Sequence, residues 1–581
     1  MAFLHKLLKC RRNAAATVAS ASFLVLVLVF SVLLVSRIFF FGASPAIAAP
    51  SMLGQDQAGA SCEAELRSLP DHASRCRYLS SPGHPPCAPR GYVDYLRLFY
   101  CGFGRAPWLG GAALALWLLV LFYLLGDTAS QYFCASLEGL SAALRLPPAI
   151  AGVTLLSLGN GAPDVLSSVV AFAAAGGGGG DAGDVGLSSV LGGALFVSTV
   201  VAGVVVIVAG SRTDAAAVTI ERRGFVRDVC FLLVALCYLL AVLLTGTVTV
   251  WVAASFLSLY AAYVLLVWTS HCCAAPAAQD DEPLEDTKKK PAANSDLAAP
   301  LLLDGDGDSN APPRLPISRK ATTPPPQKPF SRRALDALQS PLYLPRRLTI
   351  PDIAAHRWSK RYAVASALLA PLLLAAISSP SSPAVLLSAA VAGALLAAAA
   401  ARATAASAPP ETRCARLPWL AGGFLMSVLW SYMLARELVA LLVAIGLVAG
   451  VKASVLGATV LAWGNSLGDL VADVAMAMHG GAGGAQTAVS GCYAGPAFNT
   501  VVGLGLSLTL AAGARYPRPY AIPADASAYQ AAGFLAAALV WALVVLPARG
   551  MRLDRVLGVG LLVVYLGFLA VRLGSLGALG S

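Results

Sequence analysis

Gly152-Val153-Thr154-Leu155-Leu156-Ser157-Leu158-Gly159-Asn160-Gly161-Ala162-Pro163-Asp164 and Gly457-Ala458-Thr459-Val460-Leu461-Ala462-Trp463-Gly464-Asn465-Ser466-Leu467-Gly468-Asp469 are one phrase written twice. Gly152/Gly457, Thr154/Thr459, Leu156/Leu461, Gly159/Gly464, Asn160/Asn465 and Asp164/Asp469 match at a single offset of 305 positions. Both copies sit inside long apolar runs. A carboxylate placed in a membrane span is expensive and marks a functional site. A duplicated one, next to a Gly-Asn step, points to a transporter with its ion site between two repeats.

The surrounding composition fits. The chain is 57% hydrophobic and only 12% charged, half the charge of an ordinary soluble domain. Apolar runs of about 18 residues or more, each able to cross a hydrocarbon core, recur along it. The net charge of +11 is therefore read through membrane topology and not as a nucleic-acid signal. No nucleic-acid partner is expected; the expected surroundings are a lipid bilayer and inorganic cations.

Working outward from the phrases gives the organisation. Residues 1–42 read as a signal anchor or signal peptide, with Lys6, Lys9, Arg11 and Arg12 before an apolar run from Ala16 to Phe41. Residues 43–107 form a non-cytosolic segment with Cys62, Cys76, Cys87 and Cys101, enough for two disulfides in any of three pairings. A first transporter repeat over 108–270 is predicted to hold spans at about 108–126, 147–174, 186–209, 226–244 and 248–268. A cytosolic, disordered linker follows over 271–360, acidic from Asp280 to Asp308 and basic from Arg314 to Arg361. Its basic part is a candidate contact for anionic lipid, and Thr322 and Thr349 follow basic residues as candidates for cytosolic regulators or kinases. Two extra spans occupy 361–402. The second repeat, 415–575, holds spans at about 419–447, 453–478, 486–512, 529–547 and 555–574. The fold class is all-α and polytopic: two inverted-topology repeats of five transmembrane helices, about 12–13 spans in total.

Inversion follows from parity. Five spans plus two is odd, so the second phrase crosses in the opposite direction to the first. Arg212, Arg222, Arg223 and Arg227, then Arg402, Arg413 and Arg416, then Arg549, Arg552 and Arg555 all fall on the face of the linker, which the positive-inside rule makes cytosolic.

The chemistry is that of hard oxygen ligands. The Gly-Asn steps are expected to break the helical ladder near mid-membrane, and Pro163 removes a backbone donor. Asp164 and Asp469 lie one turn beyond Asn160 and Asn465. Carboxylates, amide oxygens and carbonyls suit Ca2+, Na+, K+ or Mn2+. Two carboxylates that must be neutralised before they can be occluded imply obligatory exchange. Downstream, Gly192-Gly193-Ala194-Leu195-Phe196-Val197-Ser198-Thr199 and Ala494-Gly495-Pro496-Ala497-Phe498-Asn499-Thr500 open the following span of each repeat. Asn499 supplies an amide where the first repeat has Val197. Asp473, one turn after Asp469, is a further candidate, with Gly161 and Ser198. Arg436-Glu437 is read as a structural ion pair.

These residues resemble the two alpha-repeat signatures of the sodium/calcium exchanger superfamily, and its plant-type cation/calcium exchanger branch in particular. Gly491-Cys492-Tyr493-Ala494-Gly495-Pro496-Ala497-Phe498-Asn499-Thr500 and the four-cysteine segment carry the resemblance further. It implies alternating access and names Asn160, Asp164, Asn465, Ser466, Asp469 and Asn499 as metal ligands. It implies no cofactor and no enzymatic activity, with Ca2+ exchanged for Na+, K+ or H+ and Mn2+ moved by some members. A vacuolar or other endomembrane, or a plasma membrane, is the implied setting for this multi-pass protein. Gly161 and Gly193 stand where many relatives have Ser, Val197 where many have Asn, and Asp473 where close relatives often have Asn. The competing readings are a passive cation channel and an intramembrane aspartyl protease; the latter is disfavoured because Ser466-Leu467-Gly468-Asp469 lacks that class's Gly-x-Gly-Asp phrase.

Overall fold

The computed structural model describes residues 62, 65–66, 68–81, 91–144, 157–174, 181–211, 219–273, 343–354, 357–406, 408–410, 412–479, 481–522 and 526–579. The N-terminal apolar run, Cys87 and the acidic part of the linker lie outside them.

Two short helices, α1 (His72–Ser80) and α2 (Tyr95–Arg97, running into a π turn at Leu98–Gly102), precede the first repeat. The repeat consists of α3 (Pro107–Thr128), continued through a π turn at Ala129–Cys134 into α4 (Ala135–Leu144); α5 (Ser157–Ala174); α6 (Asp181–Phe196), continued through a π turn at Val197–Val201 into α7 (Ala202–Gly210); α8 (Arg222–Thr245); and α9 (Val250–Cys273). Next come α10 (Lys360–Ser378) and α11 (Pro383–Ala403), which pack chiefly on each other. The second repeat holds α12 (Arg413–Ala449); α13 (Ala453–Leu456), a π turn at Gly457–Leu461 and α14 (Ala462–His479); α15 (Gly481–Phe498), a π turn at Asn499–Leu504 and α16 (Gly505–Arg515); α17 (Ala526–Ala548); and α18 (Arg555–Leu579). Among the described residues, eleven helices are long and apolar enough to cross a membrane, and the phrase-bearing α5 adds a shorter apolar helix.

The inversion is visible in the loops. Strand β1 (Thr247–Val248), between α8 and α9, pairs antiparallel with β2 (Tyr520–Ala521), between α16 and α17. A separate bridge joins Thr219, between α7 and α8, to Arg552, between α17 and α18. Each bridge joins the loop after the third crossing of one repeat to the loop after the fourth crossing of the other. Successive loops of one repeat lie on opposite faces, so the two repeats must run in opposite senses.

Small residues bring the repeats into backbone contact. A Cβ at Gly192 would overlap the Ala458 carbonyl oxygen, and one at Gly457 would lie 2.7 Å from the Val185 carbonyl oxygen. Glycine thus lets α6 and the second phrase pack as closely as membrane helices can. The shared apolar core includes Val165, Leu191, Val201, Phe498 and Val501, all buried.

Two expectations need correction. The Gly-Asn steps do not break their helices: α5 runs through Gly159-Asn160-Gly161 and Pro163, and α14 runs through Gly464-Asn465-Ser466. In the second phrase the irregularity falls one turn earlier, as the π turn at Gly457–Leu461. Such turns recur at functional sites because they redirect a helix without ending it.

The linker is also not disordered throughout. Residues 343–354 dock, with a helical turn over 343–349. Arg346 is buried, pairs with Asp127 at 2.7 Å and donates to Thr128 Oγ1 at 3.0 Å. Trp430 Nε1 donates to Thr349 Oγ1 at 2.7 Å, and Arg357 pairs with Asp352 at 3.0 Å. These arginines hold protein partners, where the sequence suggested a solvated, positive-inside loop with anionic lipid as a second candidate. Because removing one member of a buried pair strands the other, Arg346→Ala should lower stability by about 3 kcal/mol. Thermal unfolding of the detergent-solubilised protein checks this, with limited proteolysis near residue 347 reporting release of the segment.

Candidate functional site

Asp164 projects from α5 and is buried. Its two carboxylate oxygens are held by amides of the other repeat: Asn465 Nδ2 donates to Oδ1 at 2.8 Å, and Asn499 Nδ2 donates to Oδ2 at 2.6 Å. Asn465 comes from α14, one turn before Asp469. Asn499 opens the π turn after α15, at the position where Val197 opens the π turn after α6. The lopsidedness expected from the sequence is therefore realised in matching elements.

The other ends of these side chains are left over. Asn465 Oδ1, Asn499 Oδ1, Ser466 Oγ and Thr500 Oγ1 are buried and have no hydrogen-bond partner among the described residues. Each such orphan costs about 1–3 kcal/mol. Asn465, Asn499 and Ser466 lie beside the Asp164 carboxylate, and their unpartnered oxygens suit a hard cation. Thr500 escaped the sequence reading, although it immediately follows Asn499. Among the described residues no three His, Cys, Asp or Glu side chains gather as a metal-binding group.

Glycines shape the lining. A Cβ at Gly161 would overlap Asn499 Oδ1 and the Phe498 ring. A Cβ at Gly193 would lie 3.8 Å from Ser466 Oγ and 3.9 Å from Asp164 Oδ2, in ordinary contact. Position 161 is thus closed to a side chain, whereas position 193 admits a Cβ in ordinary contact. Ser198 is placed differently from a free ligand: its hydroxyl donates to the Cys492 carbonyl at 3.3 Å. That carbonyl lacks its helical partner because residue 496, four positions on, is proline.

Asp469 is partly exposed and has no hydrogen-bond or ion-pair partner among the described residues, while lying within electrostatic reach of Asp473 and Asp164. Asp473 is buried, and its Oδ2 accepts from the Cys492 thiol at 3.5 Å. The side chain of Asn160 lies outside the described residues. Asp164, Asn465, Ser466, Asn499 and Gly161 therefore gather at one point, with Asp469 and Asp473 following along α14.

Two other buried carboxylates are tethers. Asp228 accepts from Arg227 at 2.8 Å, Tyr263 at 2.9 Å and Ser490 at 2.9 Å, tying α8, α9 and α15 together. Glu437, read from the sequence as half of an ion pair with Arg436, instead accepts from the Tyr92 backbone and from Tyr95 Oη at 2.6 Å. Arg436 lies over the Tyr92 ring. Burial and the Glu437 carboxylate both push the Tyr95 phenol up, so it remains a donor. Tyr95 belongs to α2, whose π turn carries Cys101, disulfide-bonded to Cys76 of α1. Cys62 is disulfide-bonded as well.

The family described as sodium/calcium exchanger protein matches residues 114–269 and 419–574, which coincide with the two repeats. Cation/calcium exchanger 1 of Arabidopsis thaliana is 45% identical over 526 residues, 88% of this chain and 89% of the relative. Cation/calcium exchanger 2 of the same plant is 43% identical over 521 residues, 87% of this chain and 90% of the relative. The chain belongs to the sodium/calcium exchanger family. A more distant family member, the mitochondrial sodium/calcium exchanger protein of Homo sapiens, is 31% identical over 538 residues, 86% of this chain and 88% of that protein. Membership in this family makes the chain a membrane transporter rather than an enzyme, which removes the protease reading.

Gly161→Ala should abolish most cation flux by displacing Asn499, an overpacking expected to cost about 1–3 kcal/mol. Gly193→Ser, whose Cβ meets only ordinary contacts, should fold and transport. Tracer flux normalised to surface expression distinguishes the two.

Proposed function

We propose that this protein is an antiporter that exchanges Ca2+, or the chemically similar Mn2+, for Na+, K+ or H+ by alternating access. The observation that carries this reading is the Asp164 carboxylate, clamped by Asn465 and Asn499 across the repeat interface and surrounded by unpartnered oxygens. An amide that donates through nitrogen to a carboxylate can turn its oxygen toward a cation instead. Asn465 and Asn499 would make that exchange of roles as the ion enters. Asp164 and Asp469 would supply the charge, and Ser466 and Thr500 would complete the shell with hydroxyl oxygens.

Coupling follows from neutralisation. Two carboxylates in a low-dielectric site cannot be sealed from water while both remain ionised. One divalent ion, two monovalent ions or two protons would satisfy them equally. The loaded site can close and reopen on the other side, but the bare anionic pair resists closure. Inverted repeats give two facing states of equivalent construction, with the roles of the repeats exchanged. The basic loops around Arg222 and Arg552, joined by the Thr219–Arg552 bridge, share one face, and we take that face as cytosolic.

In proteoliposomes, Ca2+ uptake should require an opposing Na+, K+ or H+ gradient. Asp469→Asn should reduce it at least about 100-fold, as expected when a charged ligand is removed from a transition through a closed site. Uptake that persists undiminished without any counter-ion gradient would identify a channel instead.

A further inference from the structure

The carboxylate of Asp473 sits in a setting unlike that of the other buried acids. Asp228 has an arginine and two hydroxyl donors, and Asp164 has two amides. Asp473, 6% exposed, has only the thiol of Cys492, a weak donor at 3.5 Å, and no cationic side chain within ion-pair distance among the described residues. Cys492 is itself fully buried and not disulfide-bonded. Burying a carboxylate with so little compensation costs several kcal/mol unless it takes up a proton or a cation visits it. Gly491 keeps the backbone close, since a Cβ there would lie 3.3 Å from Asp473 Oδ1.

The other repeat provides the contrast. One turn beyond Asp164, where symmetry would put the counterpart of Asp473, stands Ser168. Its hydroxyl lies 3.0 Å from Ser507 Oγ and 2.9 Å from the Val165 carbonyl, a closed neutral cluster that asks for no ion. The two routes away from the central site therefore differ: one carries paired hydroxyls, the other an acid beside a thiol.

We propose that Asp473 and Cys492 form a second cation-binding station, one turn from Asp469 toward the linker face, that passes hard cations and captures thiophilic divalent ions such as Cd2+. The oxygen of Asp473 alone gives a transported Ca2+ or Mn2+ a transient hold. Cd2+ gains a thiolate bond in addition, with the thiol proton released to water, and is retained. This rests on the reading of the chain as a cation exchanger.

The test is Ca2+ exchange in proteoliposomes under increasing Cd2+, with binding of radioactive Cd2+ to the purified full-length protein as a second readout. In the wild type, Cd2+ should block exchange. Cys492→Ser, nearly isosteric, should still exchange Ca2+ but need at least about ten-fold more Cd2+ for half-block, because the soft ligand is gone. It should also bind one Cd2+ fewer. Asp473→Ser should likewise lose the high-affinity block, whereas Cys230→Ser, at an exposed thiol, should retain it. Equal Cd2+ sensitivity and equal Cd2+ binding in wild type and Cys492→Ser would overturn the station. Absence of Ca2+ exchange in the wild type would instead overturn the exchanger reading, and Cd2+ binding to the wild type and Cys492→Ser would still judge the station.

Discussion

A carboxylate that belongs to one repeat and is held by two amides of the other is the contact on which this architecture turns. Asp164 cannot be buried among apolar helices unless both its oxygens are met. Asn465 and Asn499 meet them from elements more than three hundred positions away in sequence. That requirement fixes where the repeats touch. It also gathers side-chain oxygens of both repeats at their interface.

The rest of the fold serves that meeting. Glycines at 192 and 457 let the phrase-bearing helices approach backbone to backbone, and the two loop bridges on opposite faces hold the repeats in register. Two peripheral clamps join α3 to α12. On one side Tyr95 links Glu437 of α12 to Trp117 of α3, within a segment stapled by Cys76–Cys101. On the other, Arg346 grips Asp127 while Thr349 takes the indole of Trp430. These two helices also share a smaller apolar cluster of their own, with Leu121, Leu125, Leu438 and Leu441. These two helices are thereby fastened to each other at two points.

Much of this was legible in the sequence because membrane physics is local. Span positions follow from apolar run length, inversion from counting, and the asymmetry of the site from Asn499 against Val197. What escaped was set by distant partners. Nothing near Arg346 announces Thr128, 218 positions away, so residues 343–354 of a linker read as disordered and solvated are docked instead. Glu437 looks like the partner of its neighbour Arg436, yet it serves Tyr95, 342 positions away. The Gly-Asn steps suggested broken helices because glycine weakens a helix; here tight packing outweighs that tendency, and the distortion moves to the π turn at Gly457–Leu461. Cys492 has no role in the sequence reading beyond its place in the Gly491–Thr500 stretch, because a buried thiol usually behaves as a small apolar residue; only its placement against Asp473 gives it chemistry.

The most direct measurement is an experimental structure of the full-length protein in lipid nanodiscs with Ca2+, or with Sr2+ as an electron-dense substitute. The ion should lie about 2.3–2.6 Å from an Asp164 carboxylate oxygen. The side-chain oxygens of Asn465 and Asn499 should be turned toward it. An ion bound elsewhere, with both amides still donating to Asp164, would contradict the account.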